Sequence, residues 1–396
     1  MRSIRVGPNG RYFVDDEGKP FFWLGDTQWE LFHALTLEEA RTVLERRKQQ
    51  GFSAIQVMVT GAGEGKLPSA AGEAPWRGDD PSSPNEAYFR NVDRVMEAAR
   101  EAEMILVPGV YHQRQKALLT TANARQYARW VAQRYADVPN IIWSMYPAAE
   151  PEFVPVLGEL AAGLQEGDGG AHMITVHPDP SPASSSFIHE EDWLDFNSLQ
   201  TWRDVKLIYP MVAHDYGRKP VKPVLMAEGA YEAGSEYHFE VTPLWIRRQA
   251  YYSYLAGGHH TYGHNDCWRV LPMWKQALDA LGAVQMGILK RIFMARREWW
   301  LLVPDQSVFA SGGQTEGDVL RLAARHRDGK WAMIYLAEKA SFSVNMDKVA
   351  GTGATAFWVN PKTGDAVAAS SFPNSGQRSF STPDGWEDAL LILEAA

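Results

Sequence analysis

Between residues 222 and 232 the chain reads KPVLMAEGAYE. Pro223 to Ala227 are apolar and fit a short buried strand. That strand ends on a carboxylate, Glu228, followed by Gly229, Tyr231 and a second acid, Glu232. A glutamate at the end of a buried strand has a rigid mount and a partly dry pocket, which suits a carboxylate that must sit beneath an anomeric carbon and attack it. The competing reading is a glutamate satisfied by nearby backbone or by an arginine, as in an ion pair at a barrel mouth. Glu232 is expected to be a solvated or hydrogen-bonded flank.

Six further apolar runs end in residues that can bind or react. GDTQWELF supplies Asp26 and Trp29, VYHQ supplies Tyr111 and His112, and WSMYPAAE supplies Trp143, Tyr146 and Glu150. VHPDP supplies His177 and Asp179, and LQTW supplies Gln200 and Trp202. TYGHNDCW supplies Tyr262, His264, Asp266 and Trp268, alongside Tyr231 from the stretch already quoted. Aromatic rings for the C–H faces of a sugar, with donors, acceptors and a few carboxylates for its hydroxyls, make a good carbohydrate cleft. Each residue also has a plainer reading. His112, His177 and His264 either bond hydroxyls and orient carboxylates or are satisfied by the fold, and the tryptophans either line the cleft or sit in the core. HHTYGHND (259–266) brings three histidines and Asp266 close together in sequence. Consecutive strand residues face opposite sides, however, and no His-x-His follows the first run, so neither a metal nor another cofactor is expected.

The elements that would position these residues alternate. FFWLG (21–25), AIQVMV (54–59), MILVPGV (104–110), NIIWSMY (140–146), HMITVH (172–177), FNSLQ (196–200), VLMAE (224–228) and HHTYG (259–263) read as strands. Amphipathic helices are expected over 37–51, 91–102, 122–137, 153–167, 243–258 and 273–292. Apolar strands alternating with helices imply a parallel sheet covered on both faces. About eight repeats over some 270 residues fit an α/β fold of the closed (β/α)8 TIM-barrel type, whose sites lie at the carboxyl ends of the strands. No GxGxxG or GxxxxGK[ST] follows the first strand, which leaves a nucleotide-binding open sheet without support. Past residue 300, short alternating runs with Asp-Gly and Thr-Gly turns predict a C-terminal antiparallel β-sandwich. The expected domains are 1–294, a barrel entered through a β-hairpin, and 295–396, a linker with Trp299 and Trp300 followed by the sandwich. Ten of the eleven histidines precede residue 295, which places the chemistry in the first domain. The polar, Gly/Pro-rich stretch 61–88 is expected to be a lid or substrate wall.

Bulk composition agrees. The 396 residues are 45% hydrophobic and carry a net charge of -9. Such an acidic surface argues against nucleic acid or an anionic membrane as the main partner and favours a neutral or cationic small ligand or none in particular, while the strand-end residues make a carbohydrate the expected partner. Nothing specifies an oligomeric state. The single cysteine, Cys267, rules out an internal disulfide, and beside Asp266 it reads as an inert buried thiol. No signal-peptide pattern is visible, so the expected compartment is cytoplasmic, or periplasmic or extracellular if a leader has been trimmed.

GDTQWELF, NIIWSMYP, SSSFIHEEDWLDFNSLQTW, KPVLMAEGAYE, RRQAYYSYLAGGHHTYGHNDCW and EWWLLVPDQ together resemble the apiosidase-like glycoside hydrolases, in order and over nearly the whole chain. The resemblance implies a (β/α)8 barrel followed by a β-sandwich labelled collagen-binding in relatives. It also implies retaining hydrolysis with Glu228 as nucleophile, and a sugar-binding role for Asp26, whose alternative is a helix N-cap. The family's apiosidases suggest a plant or microbial glycan or glycoside as substrate, such as a furanoside.

One departure bears on activity. The family's fourth strand ends in an acid that serves as general acid/base, and counting from Trp143 that slot falls on Ala148. Three readings stand. Glu150 takes the role from two positions on, Ala148 is an engineered replacement of the acid, or another residue such as Asp179 or Asp266 supplies the proton. A protein without that acid would be a carbohydrate-binding pseudoenzyme. For the sandwich, the choice is between a glycan- or matrix-binding module and a stabiliser of the barrel.

Overall fold

The computed structural model describes residues 3–63, 68–146 and 150–396. Eight parallel strands form one sheet: β1 (Leu24–Thr27), β2 (Ala54–Met58), β3 (Ile105–Gly109), β4 (Trp143–Met145), β5 (Ile174–Val176), β6 (Asn197–Gln200), β7 (Val224–Glu228) and β8 (His259–Gly263). The neighbour order runs β5-β4-β3-β2-β1-β8-β7-β6, which is sequential pairing wrapped into a TIM barrel. Every residue of these strands is buried, as a parallel sheet covered on both faces requires.

The ladder is open only between β5 and β6, where a few bonds close it. Asp195 donates its N–H to Ile174 O (2.9 Å), and its carboxylate accepts the Ile174 N–H at 2.7 Å. The Thr175 hydroxyl donates to Phe196 O and pairs with the Ser198 hydroxyl, both at 2.9 Å. The opposite, amino-terminal end of the bore is plugged by the hairpin that opens the chain. Its Phe13 is fully buried, with ring centres 5.1 Å from Trp23, 5.2 Å from Phe196 and 5.0 Å from His259.

Helices α1 (Leu37–Gln50), α2 (Glu86–Glu101), α3 (Ala124–Arg134), α4 (Val154–Asp168), α5 (Ile208–Gly217), α6 (Pro243–Leu255) and α7 (Leu281–Met294) cover the sheet. The first shows why its limits are legible. Thr36 and Glu39 form a capping box, and Gly51 ends the helix at φ 95°, where a side chain would be strained. Two elements differ from expectation. α5 is a helix where none was read, because Pro210 obscures its pattern; in the first turn the missing N–H costs nothing. The single helix expected over 273–292 is broken into Trp274–Ala277 and α7. The Glu232 carboxylate accepts the Gly282 N–H (3.0 Å), fixing a new helix start there. No helix of the described residues is long and apolar enough to cross a membrane.

The C-terminal part is a sandwich of a six-stranded and a three-stranded antiparallel sheet. Trp331–Leu336 is buried at every residue. Ala332, Ile334 and Leu336 enter the core between the two sheets, while Trp331, Met333 and Tyr335 join the cluster that continues into the barrel. α6 forms the junction. Tyr251 stacks on Tyr335 (centres 4.3 Å apart, planes at 14°), and Arg248 donates to Ala337 O (2.9 Å). Arg247 pairs with Asp388 at 2.6 Å, with both side chains 1% exposed. Asp388 also accepts the Tyr335 hydroxyl at 2.8 Å. Arg247→Ala strands a buried carboxylate and is expected to cost about 3–5 kcal/mol. Urea unfolding should show this, with a single transition reported alike by barrel and sandwich fluorophores.

Candidate active site

Alternation along each strand decides which residues reach the mouth. Trp23, Ile105, Val107, Ile142, Met173, Phe196, Leu225 and Ala227 form the cluster inside the bore, while Leu24, Leu106, Trp143, Ile174, Leu199, Met226 and Tyr262 pack outward against the helices. Continued two by two, this pattern aims Tyr146, His177 and Gln200 inward at the carboxyl ends of β4, β5 and β6. Glu228, next to the inward Ala227, should point out. It does not, because β7 carries a bulge: Leu199 pairs with Met226, and the next residue, Gln200, pairs with Glu228. The extra residue turns Glu228 back toward the bore.

There Glu228 is 6% exposed. The Gln200 amide donates to its Oε1 (2.7 Å), and His177 Nε2 stands 3.5 Å from its Oε2. His177 Nδ1 lies 3.0 Å from Pro178 O, which assigns the ring proton to Nδ1 and leaves a lone pair on Nε2 facing the carboxyl. Burial keeps this imidazole neutral by lowering its pKa to about 3. Burial also pushes the Glu228 carboxyl up to about 8, opposed by the Tyr231 hydroxyl and the Gln200 amide and reinforced by the charges of Glu236 and Asp179. Behind Glu228 the backbone is held by Gln249 of α6, which accepts the Ala230 N–H (2.7 Å) and donates to Ala230 O (3.0 Å). A Cβ at Gly229 would lie 2.0 Å from Gln249 Oε1, so only glycine fits there.

An aromatic wall adjoins the carboxylate. Trp29 stacks on Tyr146 (5.6 Å), His177 meets Tyr146 edge-on (4.5 Å), and His112 lies 5.6 Å from Tyr146. Trp29 Nε1 donates to the Tyr231 hydroxyl at 3.0 Å. Trp268, half-buried, packs against the same group 6.1 Å from Tyr231. Trp202 sits beside it on a left-handed backbone (φ 51°), 5.7 Å from Tyr237. Among the described residues, buried polar atoms without a hydrogen-bond partner include Glu228 Oε2, His177 Nε2, Gln200 Oε1 and Thr201 Oγ1 on these strand ends and Trp268 Nε1 on the helix after β8. Buried polar groups are normally paired, and such a set is what a polyhydroxylated ligand would satisfy. Thr201 and Tyr237, whose hydroxyl accepts the Tyr231 N–H (3.0 Å), escaped the sequence reading; LQTW, with Thr201 next to Gln200, held the only signal.

Other expected residues lie elsewhere. Asp26 faces outward, is 0% exposed, and accepts hydrogen bonds from Arg47 of α1 and from Gln28, both at 2.7 Å. Trp143 also faces outward and donates to Asp168 at the end of α4 (2.8 Å). Tyr262 donates to Glu232 (2.6 Å) behind the sheet, where that second acid is a buried, bonded flank. His264 accepts the Asp266 N–H (3.1 Å) and so caps the short helix Asn265–Trp268, with Asp266 half-buried in its first turn. Glu150 lies on the rim, half exposed and ion-paired with Lys116. Ala148 lies outside the described residues. Of the stretch 61–88, Trp76–Arg77 and Asp80–Pro84 form a ribbon whose Trp76 is buried against Tyr127 of α3 (5.6 Å). Among the described residues, no group of three or more His, Cys, Asp or Glu is arranged to hold a metal ion.

The Glu228 environment has a consequence for stability. A carboxyl whose folded pKa is raised from 4.5 to about 8 contributes fully below pH 4.5, and that contribution is lost as pH rises to 8. Glu228→Gln is therefore expected to leave stability unchanged below pH 4.5 and to raise it by a few kcal/mol above pH 8, as read by thermal unfolding across that range.

A family model described as "Apiosidase-like, catalytic domain" matches residues 7–301. A second, "Putative collagen-binding domain of a collagenase", matches residues 303–394. No curated protein matches the sequence. A solved structure titled "Glycoside hydrolase" superposes with a TM-score of 0.91 at 26% identity, covering 100% of this chain and 97% of that one. A glycoside hydrolase family 5 structure from Bacteroides vulgatus ATCC 8482 superposes at 0.90 with 25% identity, covering 99% and 93%. A β-L-arabinopyranosidase from Geobacillus stearothermophilus shares the fold at a TM-score of 0.58 and 10% identity, covering 95% and 97%. With the catalytic-domain match spanning residues 7–301 and these structures alike over their full length, the chain belongs to the apiosidase-like family and is a glycoside hydrolase.

Proposed function

We propose that this glycoside hydrolase works with retention of configuration, with Glu228 as its nucleophile. The observation that carries the reading is Glu228 itself. It is turned into the mouth by the β7 bulge and gripped on Oε1 by Gln200, with the Tyr231 hydroxyl beside it, and its Oε2 faces an aromatic wall with no close hydrogen-bond partner among the described residues. A free oxygen on a rigid, dry mount is what attack on an anomeric carbon needs. The Trp29–Tyr146 pair would take the apolar face of the sugar, and the unpartnered atoms of His177, Gln200, Thr201 and Trp268 would meet its hydroxyls. Departure of the aglycone needs a second carboxyl across the cleft, and the rim at the ends of β4 and β5 offers Glu150 and Asp179. The neutral surroundings of the nucleophile suit an uncharged glycan or glycoside, with a furanoside as the first class to try. The sandwich acts as a stabiliser of the barrel, because its central strands are buried against α6.

A second reading, a sugar-binding protein without hydrolysis, is favoured by one observation: alanine at position 148. Both are tested with activated 2-deoxy-2-fluoro glycosides. Double displacement traps a covalent ester, and peptide mapping should find it on Glu228, with Glu228→Ala abolishing both labelling and turnover. Proton NMR of the first-formed product should show the anomer of the substrate. Sugar binding with neither label nor turnover would select the second reading.

A further inference from the structure

Position 148 carries no ionisable group, and the carboxylate two residues on is engaged elsewhere: Glu150 is half exposed and its Oε2 is taken by the Lys116 ammonium. Asp179 is placed differently. It lies three residues past the end of β5 and two after His177, the histidine that stands 3.5 Å from Glu228, and its charge reaches Glu228 and Tyr146 at the mouth. It is half-buried, and among the described residues it accepts a hydrogen bond from a neutral donor, Gln113 Nε2 to Oδ1 at 3.3 Å.

We propose that Asp179 is the general acid and base of this enzyme; the inference rests on Glu228 being the nucleophile. In the first step the Asp179 carboxyl gives its proton to the glycosidic oxygen as the bond from that oxygen to C1 breaks and an oxygen of Glu228, which has already lost its proton to solvent and reacts as the carboxylate, bonds C1. In the second step the Asp179 carboxylate takes a proton from water as the water oxygen bonds C1 and the Glu228 ester bond breaks. Glu150 and Lys116 then form a charge pair beside the acid rather than part of the reaction. The charged and titratable groups around Asp179 are Glu150, Lys116, Glu228, Tyr146 and Tyr111. Burial and the Glu150 charge raise the Asp179 carboxyl while Lys116 lowers it, and the charge of Asp179 in turn reaches Glu228, Tyr146 and Tyr111.

The test compares the wild type, Asp179→Ala, Asp179→Asn, Glu150→Ala and Glu228→Ala on a panel of phenyl and 2,4-dinitrophenyl glycosides, with and without azide. Loss of the acid should cost roughly 10²–10⁴-fold on phenyl glycosides and little on dinitrophenyl glycosides, whose leaving group needs no proton. Azide should restore turnover of Asp179→Ala and yield a glycosyl azide of retained configuration. The alkaline limb of the pH profile should vanish in that variant, since no acid remains to deprotonate. Asp179→Asn, the same size, should behave likewise, which separates loss of the proton from loss of folding. Glu150→Ala should stay within a few-fold of wild type. The proposal is overturned if Glu150→Ala shows the leaving-group dependence and azide rescue while the Asp179 variants do not. Failure of the underlying reading looks different: Glu228→Ala would then keep its activity, or the wild type would turn over none of the panel.

Discussion

Glu228 reaches the mouth of the barrel because β7 breaks its own alternation. In an unbulged strand the side chain after Ala227 would point at the helices, where Met226 already packs, and the site would have no carboxylate at its centre. The bulge solves the direction and creates a second demand, since the backbone just after it must be held without the regular ladder. Gln249 meets that demand by bonding both backbone groups of Ala230, and it comes so close that residue 229 has no room for a side chain.

The groups nearest the carboxyl are neutral, a primary amide, a phenol and an imidazole that burial keeps uncharged, and the charges that reach it from Glu236 and Asp179 are of its own sign. With no cation beside it among the described residues, burial dominates and pushes the carboxyl up to about 8. In the proposed mechanism a cationic, oxocarbenium-like transition state would supply the missing positive charge, so the environment that disfavours an ionised Glu228 alone would favour it opposite the reacting sugar.

The sandwich is connected to this chemistry through one helix. α6 holds the backbone behind Glu228 with Gln249. Its adjacent residues Arg247, Arg248, Tyr251 and Tyr252 are locked to the C-terminal sheet, Tyr252 by accepting the Leu320 N–H at 2.8 Å and donating to Asp318 O at 3.0 Å. Displacing the sheet would free the face of α6 that keeps Gln249 in place. The second domain is thus part of the support of the site, whatever else its outer surface binds.

The barrel was legible in the sequence because parallel strands covered on both faces must be apolar throughout, and such runs separated by helical repeats have few other solutions. Glu228, Tyr146, His177 and Gln200 were legible because they end such runs. Which way a side chain points is not written in the run itself. Asp26, Trp143 and Tyr262 also sit on barrel strands, yet they face the helices, because the side of a strand is set by its alignment with its neighbours. The bulge that reverses this for Glu228 exists only in the pairing of β6 with β7. Sequence alone determined the elements and the kinds of chemistry available; tertiary structure decided which side chains face the mouth of the barrel, because direction and charge environment arise only when strands are in register and packed.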